Sequence, residues 1–322
     1  MSKATKIWLI TAASLVTIGV ILFASVMTAY HWDFSRLSTE RFETNTHEIS
    51  EEFSGIKMNT DTADILFAAS SDNTCRVVCY EEEKMKHSVR VQDDTLMVSA
   101  ADDRGWYEHI GFSSHSPTVT VYLPQTEYES LTIQESTGDI TLPKDFTFGS
   151  VDLDLSTGHV DSRASSLGRI RIKTSTGDIR LQDVFAGELD LTVSTGHVAV
   201  MSVSCEGNVG VSVSTGKTEL TDISCNSFSS TGSTGNIALK NVLTEEKISI
   251  ERSTGDVRFE ECDAGEMEIQ TDTGSVTGSL LSSKVFIVHS DTGKIDVPET
   301  TSGGKCKITT DTGDIKIIIA DE

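Results

Sequence analysis

A Ser/Asp-Thr-Gly triplet recurs ten times across the second part of the chain. The glycines at its third place are Gly138, Gly158, Gly177, Gly196, Gly216, Gly235, Gly255, Gly274, Gly293 and Gly313, and successive ones lie 19 or 20 residues apart. A period this regular is an internal repeat, and it constrains the architecture before any other motif is read.

Aligned on the glycine, the units share an apolar pattern. Two and four residues after it stand Ile140 and Leu142, Ile179 and Leu181, Val257 and Phe259, Ile315 and Ile317. Seven and five residues before the next glycine stand Val151 and Leu153, Ile170 and Ile172, Leu189 and Leu191, Met267 and Ile269. Polar residues alternate with them, the period of a half-buried strand. Each unit therefore predicts two short strands. The triplet turns the chain on one side, and a looser turn near Gly149, Gly168 and Gly187 does so on the other. Glycine suits a corner that needs positive φ, and Ser and Thr hydroxyls can bond nearby backbone groups there.

Such a unit cannot bury its apolar residues alone, but stacked units form a continuous core. The prediction is an all-β β-solenoid, single-stranded β-helix-like, whose ten coils at ~4.8 Å would make a rod on the order of 48 Å. A flat antiparallel meander with Thr-Gly hairpin turns is the alternative, though nothing in a meander holds every repeat to one length. An earlier unit is visible in "GIKMNTDTADILF", 55–67, with Ala63 in the glycine slot. Residues 71–125 leave the period and are expected to cap or interrupt the stack. At the other end "DIKIIIADE" has no obvious cover beyond its final acids.

Residues 7–30 carry no charge and follow Lys3 and Lys6. At ~1.5 Å per residue they would cross a ~30 Å hydrocarbon core. Trp8, Tyr30 and Trp32 fall where interfacial aromatics belong. The expected organisation is a cytoplasmic stretch 1–6, a transmembrane anchor 7–30, a linker 31–49, a degenerate repeat and cap 50–125, and solenoid repeats 126–322. The N-terminus would lie inside and the bulk of the chain outside a single-pass membrane protein. A cleaved signal peptide and a buried soluble helix are the other readings of the same run. The formal charge of −23 argues against a nucleic-acid partner, which demands a basic surface.

Asp-Thr-Gly is also the catalytic triplet of aspartic proteases, which pair two such loops so that their carboxylates share a proton. Here seven of the ten triplets carry Ser in that place, so the triplet reads as a corner. Asp272, Asp291 and Asp311 would then stack ~5 Å apart, a repulsion that a bound Ca²⁺ could relieve. No other cofactor is expected. After the glycine come Asp139, His159, Asp178, His197, Lys217, Asn236 and Asp256. This alternation reads as a ladder avoiding stacked like charges rather than as a zinc site. Of the six cysteines, Cys75 and Cys79 are too far apart on one strand to bridge. Cys262 and Cys306 fall on inward positions, and Cys205 and Cys225 occupy equivalent places on neighbouring coils where a disulfide could form. No G-x-S-x-G, phosphate-loop or H-E-x-x-H pattern is present.

The run of "ESTGDITL", "TSTGDIRL", "RSTGDVRF" and "TDTGDIKI", with "VTVYLP" before it and an N-terminal apolar segment, resembles a bacterial β-strand-repeat family of unknown function known as "putative adhesins", including LiaG-like proteins. The resemblance covers about residues 50–320. It implies a membrane-anchored β-solenoid at the cell surface and brings no catalytic or binding residues with it. The expectation is a non-catalytic binding or scaffold protein of the cell envelope, its partner an envelope polymer or a membrane protein. An envelope-stress regulator acting through a membrane partner and a polysaccharide-active enzyme are the alternatives.

Overall fold

The computed structural model describes residues 2–32, 41–102 and 116–320. Met1, part of the linker (33–40), part of the expected cap (103–115) and the final acids Asp321 and Glu322 lie outside them. The N-terminal helix spans Lys3–Ala29. It starts ahead of the uncharged run because Ser2 caps it, its hydroxyl accepting the Thr5 N–H at 3.2 Å. Thr5–Ala29, with a mean hydropathy of 2.4, is long and apolar enough to cross a membrane.

From residue 127 onward the chain is a β-solenoid of stacked parallel coils. The coil between Gly177 and Gly196 shows how one is built. Residues 179–182 pair with 198–201, 184–186 with 203–205, and 189–195 with 209–215, all in parallel. Each coil thus has three β segments where the sequence suggested two. The extra corner lies six residues after the glycine, at Asp183, Ser202, Asp222, Asn241 and Glu261, all with φ between 50 and 57°. Asp and Asn tolerate this left-handed conformation better than other side-chain-bearing residues. At the third corner Gly168, Gly187 and Gly207 lie so close to the preceding coil that a Cβ would meet a carbonyl oxygen at 2.6–2.7 Å.

The triplet glycines form a column. Gly158, Gly177 and Gly196 have φ of 146–150°, and a Cβ on each would stand 1.9 Å from the carbonyl oxygen of the glycine one coil back. Ala63 occupies the same slot next to Gly138, and strand Gly55–Thr62 pairs in parallel with Glu127–Thr137. Inward side chains stack in files such as Leu153, Ile172, Leu191 and Val211, each at most 3% exposed. Burying each contributes roughly 1.5–3 kcal/mol, which only stacking makes available.

Both ends depart from the simple stack. At the N-terminal end, Thr95–Asp102 and Thr118–Leu123 add a parallel layer to Gly55–Thr62 and Asp64–Ala69. Antiparallel strands then close it: Met85–Gln92 on Thr95–Asp102, Cys75–Glu82 on Thr118–Leu123, and Phe42–Ile49 on Cys75–Glu82. This change of direction stops the coil-upon-coil edge from continuing.

At the other end the coils are out of sequence order. Gly304–Thr312 pairs with Glu266–Thr273 on one side and with Lys284–Thr292 on the other. Ile315–Ile319 likewise lies between Val276–Leu280 and Ile295–Asp296. The last coil is therefore inserted, and 284–296 covers it, so the apolar "IKIII" is not the terminal layer. The step back is made at two glycines. A Cβ on Gly303 or on Gly304 would meet the carbonyl of Ser283 or of Gly265 at 1.8 Å, so only glycine passes between these two coils.

Candidate binding surface

The residue after each triplet glycine is part of the corner. Asp139 Oδ1 accepts the His159 N–H at 2.8 Å, His159 Nδ1 accepts the Asp178 N–H at 3.0 Å, and Asp178 Oδ1 accepts the His197 N–H at 2.9 Å. Farther along, Asn236 Oδ1 accepts from Asp256, and Asp256 Oδ1 from Ser275, both at 2.9 Å. Asp139, His159 and Asp178 thus form a ladder of acceptors for backbone N–H groups, which ends at His197, whose Nε2 lies 2.9 Å from Glu219 Oε2 instead. Asp, Asn, Ser and a neutral His can each fill the place because each offers a short acceptor. We expect Asp256→Ala to lower the urea-unfolding free energy by about 1 kcal/mol and Asp256→Asn to leave it nearly unchanged. Equal losses in both would show that charge, not acceptance, matters there.

Beyond this column, alternate side chains of the next β segment point outward and line a shallow groove of about 670 Å³ across neighbouring coils. Its lining includes Ala238 and Thr277, and its charged groups are Lys217, Glu219, Lys240, Asp256, Arg258 and Glu260. Lys240 Nζ lies 2.9 Å from Glu260 Oε1 in the next coil. That ammonium holds the Glu260 carboxyl below the usual carboxylate range. Lys217 pairs with Glu219 in the same way and holds its carboxyl low. Arg258 forms no ion pair with a described residue. On another face Glu268 bridges Lys247 (2.7 Å) and Lys307 (3.1 Å), which hold its carboxyl down at about 2. The lateral surface is therefore a lattice of charges repeated at coil spacing.

The aspartates of the last three triplets stack in the order Asp272, Asp311, Asp291, not in sequence order, because of the inserted coil. All three are exposed, and Asp291 faces His289 Nε2 at 2.9 Å. All six cysteines are buried free thiols. Cys205 and Cys225 come side by side, since Ser204 and Ser224 are register partners, and Cys205 Sγ lies 3.5 Å from the Gly187 carbonyl.

Several buried polar groups escaped the sequence reading, two of them beside the solenoid core and its cap. Arg252 is 3% exposed inside the stack, where Gly232 leaves it room and Ser230 Oγ accepts from its Nη2 at 2.8 Å. Burial pushes its guanidinium down to about 10. The other is Cys79, Glu81 and His87, one ligand atom from each lying within 4.8 Å of the others. Cys79 and Glu81 share the inward face of one strand, but their partner His87 sits in the charged run "EEEKMKH", whose composition suggests surface.

Solved structures to which the chain is similar share little sequence with it. A "putative adhesin" from Bacteroides fragilis is 15% identical, the match covering 86% of this chain and 97% of that one with a TM-score of 0.43. A "putative adhesin" from Parabacteroides distasonis is 8% identical over 87% and 98% of the two chains, with a TM-score of 0.46. A "putative lipid binding protein" from Parabacteroides distasonis is 13% identical over 86% and 97%, with a TM-score of 0.43. No curated protein matches the sequence. The family model described as Toastrack DUF4097 matches residues 53–212 and again 206–322, nearly the whole solenoid and its cap, and the chain belongs to that family.

Proposed function

We propose that this protein is a membrane-anchored, extracytoplasmic binding or scaffold protein of the cell envelope and that it works without catalysis. The observation that supports this most is the groove from Lys217 to Thr277, where outward polar and charged side chains repeat at coil spacing. A surface with one repeat distance suits an extended partner that also repeats, such as an envelope polymer. Within a strongly acidic chain, Arg258 is a groove cation without an ion-pair partner among the described residues, near enough to Glu260 to help hold that carboxyl low. The helix Thr5–Ala29 would hold the solenoid at the membrane, and Lys3 and Lys6 favour the N-terminus inside.

The test is sedimentation of the full-length protein, in detergent, with peptidoglycan, teichoic-acid-type polymers and glycans. Saturable binding to one fraction that falls at least about tenfold in Arg258→Glu would support the reading and place the contact in the groove. Running it with and without Ca²⁺ tests the column Asp272, Asp311, Asp291. Release of soluble sugar would replace the reading with an enzymatic one. Failure to bind any fraction would shift the assignment to a regulator with a membrane-protein partner.

A further inference from the structure

We infer that Cys79, Glu81 and His87 form a zinc-class metal site that pins the N-terminal cap of the solenoid. The three residues come from an antiparallel hairpin. Cys79 and Glu81 lie on Cys75–Glu82, His87 lies on Met85–Gln92, and Glu82 and Met85 are the register pair at its turn. They are 0, 1 and 4% exposed. Glu81 Oε2 lies 2.7 Å from His87 Nδ1 and also accepts the His87 backbone N–H at 2.6 Å. Glu81 Oε1 accepts from Asn45 Nδ2 at 2.7 Å, and Asn45 is the register partner of Cys79 on the adjoining strand. His87 Nε2 is buried and has no hydrogen-bond partner.

The donor set selects the ion. One sulfur, one imidazole and one carboxylate match zinc, which accepts all three ligand types in small tetrahedral sites. Calcium and magnesium prefer oxygen shells, and copper(I) prefers soft sulfur donors. Thiolate and carboxylate together supply two negative charges, which a divalent ion would neutralise beyond what the Asn45 and His87 donors and the nearby Lys86 ammonium offset. Asn45 is placed to orient Glu81 as an outer-shell partner. On binding, the Cys79 thiol releases its proton to solvent as its sulfur joins the ion. No electron is transferred. The site ties two of the strands that terminate the parallel stack, so the ion would add to the stability of the cap.

The experiment uses the full-length protein in detergent, stripped with a chelator and then titrated with Zn²⁺ and, as a spectroscopic probe, Co²⁺. We expect one equivalent of zinc per chain, a raised melting temperature, and a thiolate-to-cobalt charge-transfer band. Cys79→Ser should abolish the band and weaken zinc retention at least about 100-fold, and Asn45→Ala should weaken it about tenfold while keeping the β-sheet circular dichroism. The band should persist in the Cys205→Ser, Cys225→Ser double variant. A folded wild-type chain that retains no zinc and shows no band would overturn the assignment. So would a band that survives Cys79→Ser, or zinc affinity unchanged in Asn45→Ala.

Discussion

Gly196→Ala is expected to lower the stability of the solenoid by more than about 4 kcal/mol, beyond what most single substitutions do. The new Cβ would stand 1.9 Å from the Gly177 carbonyl oxygen, and the φ of 150° is one that alanine strongly resists. Neither problem is solved by moving a side chain, since the obstacle is backbone. The coils would have to separate at this corner. That would strain the bonds on both sides of it, from Gly177 N–H to Thr195 O and from Gly196 N–H to Thr215 O, both 3.0 Å. In a stack where each coil contacts only its neighbours, the break divides the rod. Urea unfolding followed by circular dichroism should therefore change from one transition to two, or shift to a much lower midpoint. Gly210→Ala is the matched control. Its Cβ would crowd no backbone and come closer than ordinary contact only to the movable Asp190 carboxylate, at 2.9 Å. That carboxylate would have to turn with its partner Arg169, so the cost should stay within about 1 kcal/mol. Similar losses in the two variants would mean that the glycine column is not what holds the repeat length.

That column is also why so much of the fold could be read without coordinates. A backbone requirement repeated at one angular position leaves the same residue at the same spacing, whatever surrounds it. The apolar files Ile179, Leu181, Leu189 and Leu191 follow from the same stacking and are buried as their alternation predicts. What could not be read depends on contacts without a period. The corner at Asp183 and Asn241 is made by residues that also favour ordinary turns and loops, so their composition does not mark it. The insertion of Gly304–Thr312 between two earlier coils turns on the Gly303–Gly304 step, which looks in sequence like any flexible link. The pairing of Cys79 and Glu81 with His87 needs the hairpin to be known first. In the acceptor ladder the residues were visible but their role was not, because His159 and Asp139 look unlike until each is seen receiving a backbone N–H.

Glu135 is expected to make the protein less stable as the pH rises, the reverse of the usual carboxylate effect. It stands on the inward face of Glu127–Thr137 at 4% exposure, in register with Leu155 of the next coil. Its Oε1 accepts the Ala63 N–H at 3.3 Å, and its Oε2 has no partner. Burial, with a smaller contribution from Asp61 and Asp64, pushes its carboxyl from an ordinary value of 4.5 up to about 8. Between those values the folded chain holds a proton that the unfolded chain has released. The stabilisation is thus complete below about pH 4.5 and is lost as the pH rises through about 8. At about 1.4 kcal/mol per pH unit the loss amounts to a few kcal/mol. Glu135→Leu copies the neighbouring coil and removes the titration. The Ala63 N–H keeps the Thr137 carbonyl as an acceptor at 3.1 Å, while the backbone contact from Thr137 to the carboxylate is lost, a cost that does not change with pH. Urea-unfolding free energies of the two proteins, measured from pH 4.5 to 9, should diverge steadily, with the leucine variant ahead by about 2–4 kcal/mol at the alkaline end. Parallel curves would show that Glu135 is ionised in the folded chain throughout, and that the corner beside Ala63 is wetter than its burial implies.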